Sequence, residues 1–467
     1  MSRRGPQVVL KFGGTSVAKA SGWATIAGRV RALREAGERP WVVCSALSGV
    51  SNLLEEVLEL AIAGSDPTPL LERLREQHHA LAADLGVPLP EAVSDTLAEV
   101  DELLHGVHLV GEASPRVRAR VMSAGELMST RLGAAWMRAR GLSTRWLDAR
   151  DVLTSTTRQD AGHFVSASVE VAPLGPESEL LGGDEVVLTQ GFIARDEHGE
   201  TTLLGRGGSD TSAAYFGVLV GAVRVEIWTD VRGVYSANPK QVTDAHLIGR
   251  VDYDEASTMA GLGAKVLHPR CLPPLRRAGI PLHICCTYDP EASGTVVESV
   301  DEEGLRCVTS RSGLTRLELF RPARWQPVGF VADVAACFRD HGLSIDLMST
   351  SPSTLAVTLD PTAAPLAALD HLLTDLEEVC EVREQDHVAS VSVVGTGVRA
   401  AFDRLGAAVH HLEDFDLRMV VQGAANHHLT FVLPEEQADD LVTRLHHAVF
   451  QEPTPLLSAS RLQEVVA

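Results

Sequence analysis

The chain has 467 residues, 45% hydrophobic and 22% charged, with a formal net charge of −21. That describes a globular protein of roughly two to four domains. The acidic balance excludes nucleic acid and anionic membrane surfaces as partners, because both demand a basic face, yet leaves small anionic substrates open. No run reaches the roughly 18 apolar residues of a membrane-spanning helix. The start MSRRGPQVVLKFGG lacks the long apolar segment and cleavage site of a secretion signal. Seven cysteines, an odd number with no CxxC pair, argue against a disulfide or zinc framework and for a reducing cytoplasm. No metal-ligating cluster is expected, and Cys44 reads as a small buried residue.

The first ~300 residues alternate short apolar runs with helical patterns. Val8–Phe12, Trp41–Cys44, Glu185–Thr189, Val223–Trp228 and Pro281–Cys285 read as strands covered on both faces, since their apolar residues run on without alternation. Ser51–Ala63 and Ala119–Arg140 read as helices. This alternation predicts an α/β fold with an open, mostly parallel sheet and helices on both faces. Residues 64–115 predict two amphipathic helices inserted on the sheet. After Cys307 a repeat emerges: Ile345 and Leu355 of GLSIDLMSTSPSTLAVTLD align with Leu417 and Leu429 of DFDLRMVVQGAANHHLTFVLP. Each copy follows an amphipathic helix, with Val331, Val334, Ala335 and Phe338 on one face of the first, and Phe402, Leu405, Val409 and Leu412 on that of the second. The order β-α-β-β-α-β, twice, is that of two ferredoxin-like units. They suit a small-molecule sensor or a dimerisation device.

Five segments carry chemistry. In VVLKFGGTSVA, Gly13 and Gly14 let backbone N–H groups approach an anion, and Lys11 adds a positive charge. Alone, Lys11 could equally be a strand-tip charge. LLGRGGSDTSAAYFG is a strand-to-helix turn in which Gly207 and Gly208 precede Ser209 and Asp210, with Arg206 suited to a carboxylate or phosphate. Asp210 could orient Lys11 or only cap the helix. In EIWTDVRGVYSANPK a strand ends at Thr229–Asp230; Tyr235 could lie beside a base and Lys240 reach a phosphate, or the segment is a polar loop. Lys265, beside apolar Val266 and Leu267, needs a partner such as a phosphate, whereas His268 reads as structural. Glu126, read at the head of a helix, could hold an ammonium or complement the helix dipole. Together these turns, cations and acids suggest a phosphoryl-transfer site that works by positioning and electrostatics.

The segments KFGGTSV, SALSGVSNLL, SAGELMS, GRGGSDTSA, TDVRGVYSANPK and GAKVLHP stand in the order found in aspartate kinases. Over essentially its whole length the chain resembles a monofunctional member of that family, nearest the lysine-sensitive type. The resemblance implies an amino-acid-kinase domain over 1–300, with the helical insertion at about 64–115, and two ACT domains over 301–385 and 386–467. It implies ATP-dependent phosphorylation of the aspartate side-chain carboxylate, with Mg²⁺, as the first step toward lysine, threonine and methionine. Carried over by motif, Lys11 and Asp210 are catalytic, and Ser51, Glu126, Arg206 and Ser209 bind aspartate. Lys11, Phe12, Gly13, Gly14, Thr229, Asp230, Tyr235, Lys240, Lys265 and Val266 bind ATP. Gly329, Ser344, Ile345, Asp346 and Ser351 match effector positions, with lysine the favoured effector, and a homodimer through the ACT domains is implied. The chain departs from many relatives at Asn238-Pro239-Lys240, which replaces Asp-Pro-Arg and loses the bidentate arginine fork. It departs again at RWQPVGF (Arg324 to Phe330), which lacks the histidine and serine of lysine-sensitive relatives, and at Pro352, where an acid is common. A catalytically weak amino-acid sensor, or an acyl-phosphate kinase for glutamate, are the alternatives. The presence of Lys11, Glu126 and Asp210 argues against the first, and SAGELMS with the paired ACT units against the second.

Overall fold

The computed structural model describes residues 5–157, 162–175, 177–264, 266–321, 328–363, 366–398 and 412–451. These fall into two compact units: one from Met1–Val234, Leu247–Tyr253 and Lys265–Val300, the other from Tyr235–His246, Asp254–Ala264 and Asp301–Ala467. The sequence reading places one boundary near residue 300. Two short stretches ahead of it are instead built into the second unit, where Ala237 and Val242 find apolar partners.

The first unit is organised by an eight-stranded sheet. Its strands are β1 (Gln7–Phe12), β2 (Arg39–Cys44), β3 (Thr144–Leu147), β4 (Val186–Gln190), β7 (Arg224–Thr229), β8 (Arg250–Val251), β9 (Leu282–Cys286) and β10 (Thr295–Val297), in the order β3-β4-β2-β1-β7-β9-β10-β8. Every pairing is parallel except β9 with β10. A short hairpin, β5 (Ile193–Arg195) with β6 (Thr201–Leu203), stands apart. Val8, Val9, Leu10, Val42, Val43, Val225 and Ile227 are all buried, as unbroken apolar strands require. Phe12 lies opposite both Cys44 and Trp228, so the carboxyl ends of β1, β2 and β7 are neighbours. Active sites of open α/β sheets form at such an edge.

The insertion forms two helices as expected, Thr68–Leu85 and Glu91–Val110, each ended by a glycine in the left-handed conformation, Gly86 and Gly111. The following helix differs. It begins at Pro115, not near Ala119, because Ser114 accepts the Val117 N–H at 3.3 Å and Pro115 starts the first turn. Glu126 is therefore mid-helix, away from the N-terminal dipole.

The second unit holds a six-stranded antiparallel sheet of β11 (Gly304–Phe320), β12 (Leu347–Thr350), β13 (Thr354–Leu359), β14 (Glu381–Thr396), β15 (Met419–Gln422) and β16 (His428–Pro434), ordered β12-β13-β11-β14-β16-β15. β11 and β14 are long and shared between two lobes. Beyond the register shifts between Arg311 and Arg316, β11 pairs with β13 and the start of β14; before them, Gly304–Arg311 pairs with Ser390–Thr396. The helices Phe330–Asp340 and Leu366–Val379 serve the first lobe, whose core includes Leu317, Val334, Phe338, Leu355 and Leu376. The helix Ala438–Phe450 serves the second, packing with Val391, Val393, Leu429 and Phe431. The first copy of the repeat follows the expected element order. In the second, the residues Phe402, Leu405 and Val409 lie outside the described residues, and the strand place beside β14 is filled by Gly304–Arg311 from ahead of the first copy.

Candidate active site

Lys11 is not a solvated strand-tip charge. Its side chain is only 12% exposed, and its Nζ lies 2.6 Å from the Asp210 carboxylate. Asp210 stands in the first turn of the helix Gly208–Leu219, whose N-cap is Gly207, so helix capping is not its role. The glycines before it are dictated by space. Gly207 has φ 64° and a Cβ there would fall 2.1 Å from the His268 ring, while a Cβ on Gly208 would meet Phe192 at 2.6 Å. His268 packs against this turn, and its Nδ1 accepts the Arg270 N–H at 3.3 Å. Arg270, which the sequence reading passed over, braces the same turn by donating to the carbonyls of Leu204 at 2.5 Å and Ala167 at 2.8 Å. Its only sequence signal was adjacency to the GAKVLHP motif.

The two glycines after Lys11 differ. Gly13 donates its N–H to the Trp228 carbonyl at 3.4 Å, which already commits that donor to the neighbouring strand. Gly14 is required by close approach: a Cβ would sit 2.9 Å from the Ala46 carbonyl, and Ser48 N–H donates to the Gly14 carbonyl at 3.2 Å. The loops after β1 and β2 are thereby held together. On the other side of the β2 loop, Ser129 donates to the Ser45 carbonyl at 2.7 Å, and a Cβ on Gly125 would meet Ala46 at 2.8 Å. Ser129 too escaped the sequence reading, being an ordinary helical serine by pattern.

Glu126 follows one turn ahead of Ser129 and is 3% exposed. Burial raises its carboxyl to about 8, against the opposing pull of the Ala46 N–H. One of its oxygens, Oε2, has no hydrogen-bond partner. A buried acceptor without a donor calls for a ligand.

These groups line one cleft of about 410 Å³, which brings together Lys11, Gly13, Gly14, Ser51, Glu126, Arg206, Ser209 and Asp210. Arg206 is exposed there, and Ser209 is held by its fit against Gly191. Not every expected position joins them. Phe12 is fully buried and stacks on Trp228 at 5.6 Å, so its side chain belongs to the core. Thr229 ends β7 and Asp230 follows it at the same sheet edge, the two joined by a 3.2 Å hydrogen bond from the threonine hydroxyl. Val266 is half-buried in a turn, and Lys265 lies outside the described residues. Tyr235 and Lys240 belong to the second unit, where Asn238 Oδ1 accepts the Lys240 N–H at 3.1 Å.

Of the effector positions, Gly329 takes φ 86° at the head of the helix Phe330–Asp340. Ser344, Ile345 and Asp346 lead into β12, and Ser351 beyond it accepts the Thr354 N–H at 3.1 Å. Asp346 is already paired with Arg311 at 3.1 Å, and Arg311 also holds Asp360 at 2.8 Å. Residues 324–327 of RWQPVGF lie outside the described residues.

Comparison with known proteins decides the family. A model of the amino acid kinase family matches residues 6–286. The lysine-sensitive aspartokinase 3 of Escherichia coli K12 is 35% identical over 457 residues, spanning 95% of this chain and 99% of the relative. The chain belongs to the aspartokinase family. Aspartokinase 1 of Arabidopsis thaliana, a chloroplastic relative, is 29% identical over 97% of this chain and 81% of its own length. Among solved structures, E. coli aspartokinase III in complex with aspartate and ADP, in its R-state, matches with a TM-score of 0.81 and 34% identity over 95% of this chain and all of that one. The same relative in complex with lysine and aspartate, in its T-state, matches at 0.77. The enzyme is an aspartate kinase of amino-acid biosynthesis, EC 2.7.2.4, with a kinase sheet followed by an antiparallel regulatory region. No helix among the described residues is long and apolar enough to cross a membrane.

Proposed function

We propose that the cleft around Lys11 binds aspartate and carries out phosphoryl transfer to its side-chain carboxylate. The observation that carries this is Glu126: a buried carboxylate with one unpartnered oxygen, lining the same cleft as the Lys11–Asp210 pair and Arg206. Aspartate brings one ammonium and two carboxylates. The ammonium pairs with Glu126, Arg206 clamps the α-carboxylate, and Ser51 and Ser209 donate hydrogen bonds. The side-chain carboxylate, ionised at neutral pH, attacks the terminal phosphorus of ATP. A carboxylate O–P bond forms, the bond to the ADP oxygen breaks, and ADP leaves with that electron pair. No general base is needed. Lys11 neutralises the moving phosphoryl group, and Asp210 fixes Lys11 while lowering the net charge of the empty cleft.

ATP is held by Lys11, by the backbone at Phe12 and Gly14, against the bare Cα of Gly13, and by Thr229, Asp230, Tyr235, Lys240, Lys265 and Val266. Mg²⁺ accompanies the nucleotide. Asp210, beside Lys11 in the cleft, would be the side chain nearest such an ion, which would otherwise be held by phosphate oxygens and would neutralise their charge. The regulatory region is read as two ACT units over 301–385 and 386–467, pairing with a second copy into a homodimer. Lysine is the effector at Gly329, Ser344, Ile345, Asp346 and Ser351, in a relative's case the ligand of a T-state complex. Seven free cysteines suit the cytoplasm. Coupled measurement of ADP release with aspartate, Mg²⁺ and ATP tests the activity, and separate titrations with lysine, threonine and methionine test the effector. Absence of aspartate-dependent turnover in folded protein would overturn the reading.

A further inference from the structure

The segment Tyr235–His246 carries Tyr235, Asn238 and Lys240 of the nucleotide motif, yet it is built into the regulatory unit. Ala237 and Val242 pack in the core formed with Leu441, Leu445 and Val449. At its two ends the segment is closed by Ser236. That serine is fully buried; its N–H donates to the His246 carbonyl at 2.9 Å, and its hydroxyl oxygen accepts the His246 N–H at 3.0 Å. The same hydroxyl meets two rings, His246 Nδ1 at 3.1 Å and His446 Nε2 at 2.9 Å. His446 comes from the helix Ala438–Phe450 and is 1% exposed. Phe450 packs on both imidazoles, at 5.5 Å and 4.9 Å.

The hydroxyl has one proton and two lone pairs. One lone pair is taken by the His246 backbone N–H. What remains is one donor and one acceptor for two rings, so one ring must donate and the other accept. His446 Nδ1 is buried with no partner. A bare lone pair there costs less than a bare N–H, so His446 carries its proton on Nε2 and donates to Ser236, which donates to His246 Nδ1. The chain is complete only with His446 neutral. A proton added to His446 falls on the buried, unpartnered Nδ1. Facing His446 are His246 and Asp244 from the segment and His447 from its own helix; burial foremost, then His246, keeps its ring from charging.

We propose that His446 is a positioning residue for the nucleotide segment, and that the His446–Ser236–His246 hydrogen-bond chain makes ATP binding weaken as His446 becomes protonated. The inference rests on the reading that Tyr235 and Lys240 hold ATP. Because His446 resists protonation in the folded chain, its contribution is complete above the ordinary histidine value of 6.5 and is lost as pH falls below it. Asp244 accepts the Gln451 side-chain amide at 2.8 Å, and Asp439 accepts that of Gln241 at 2.7 Å.

The test compares KM for ATP and for aspartate between pH 5.5 and 8 in full-length wild type, Ser236→Ala, His446→Gln and Lys240→Ala. Glutamine keeps a donor at the Nε2 position but does not titrate. We expect Ser236→Ala to raise KM for ATP about fivefold or more at pH 7.5, with KM for aspartate within about twofold. His446→Gln should match wild type at pH 7.5 and lose about threefold or more of its acid-side rise in KM for ATP. Titration of ATP itself cancels, because it is common to all variants. If Ser236→Ala does not fold, the His446→Gln profile decides alone. A profile superimposable on wild type overturns the proposal. Lys240→Ala separates the two failures: if it raises KM for ATP while His446→Gln changes nothing, the nucleotide reading stands and the positioning role falls. If it leaves KM unchanged, the nucleotide reading itself is lost, and the proposal with it.

Discussion

The first unit contains two buried glutamates with opposite fates. Glu126 is 3% exposed and Glu226, on β7, is 1% exposed. Each oxygen of Glu226 has two donors. Arg29 and Arg224 reach Oε1 at 2.6 and 2.8 Å, and Arg29 and Trp228 reach Oε2 at 3.0 and 3.1 Å. Burial pushes its carboxyl up, but the arginines outweigh that and hold it below the ordinary range. Glu126 lacks such company, and burial prevails. Burial therefore does not mark a functional acid; the missing partner does. One carboxylate belongs to the fold, the other is kept for a ligand.

Substitutions can break or sharpen this contrast. The largest effect belongs to the cation of the cleft: Lys11→Ala should cut kcat by about 10³-fold while a thermal melt shifts little. A kcat within about tenfold of wild type would remove Lys11 from the reacting centre. Glu126→Gln should raise KM for aspartate by roughly 10²-fold, because the substrate ammonium loses its counter-charge, and should leave Tm unchanged or higher. Glu226→Gln should do the reverse, costing about 2 kcal/mol of stability by taking the counter-charge from Arg29 while Arg224 keeps its pair with Glu38, with KM for aspartate near wild type. Equal effects of both on Tm would erase the distinction.

A smaller effect follows from pH. With Glu126 at about 8 in the free enzyme, the folded chain binds a proton that the unfolded chain has released. Between the ordinary value of 4.5 and about 8, this group makes the free enzyme less stable as pH rises. Glu226 contributes in the opposite sense: its share is present above 4.5 and lost as pH falls through its lowered value. Aspartate binding should accordingly release a proton at pH 7, and KM for aspartate should fall about tenfold from pH 7 to pH 9. Calorimetry in buffers of different ionisation enthalpy would count that proton. The Glu126→Gln variant should release none.

Much of this was legible in the sequence, for identifiable reasons. Unbroken apolar runs such as Val8–Phe12 placed the parallel strands, and glycine pairs marked the turns where backbones touch. What motifs alone left open was which of two roles a residue takes. Lys11, Asp210 and Glu126 were each compatible with a plain structural part until their neighbours were known: an ion pair, a non-capping position and an unpartnered oxygen. Ser129 and Arg270 were invisible because their work is done on carbonyl groups distant in sequence, which no local pattern encodes. The same holds for Tyr235–His246, whose attachment to the regulatory unit rests on apolar contacts formed about 200 residues further along.

The shared strands β11 and β14 bear on how such a protein can be altered or inherited. A cut after residue 385 would pass through β14 itself, and Gly304–Arg311 would lose the strand it pairs with. The two lobes cannot be exchanged like beads on a string. A graft of one lobe from a relative with a different effector would have to carry both halves of each long strand, so the natural unit of recombination is the whole sheet. New effector specificity should then arise in place, through substitutions in surface loops such as the one before β12, while the regulatory sheet passes between lineages undivided.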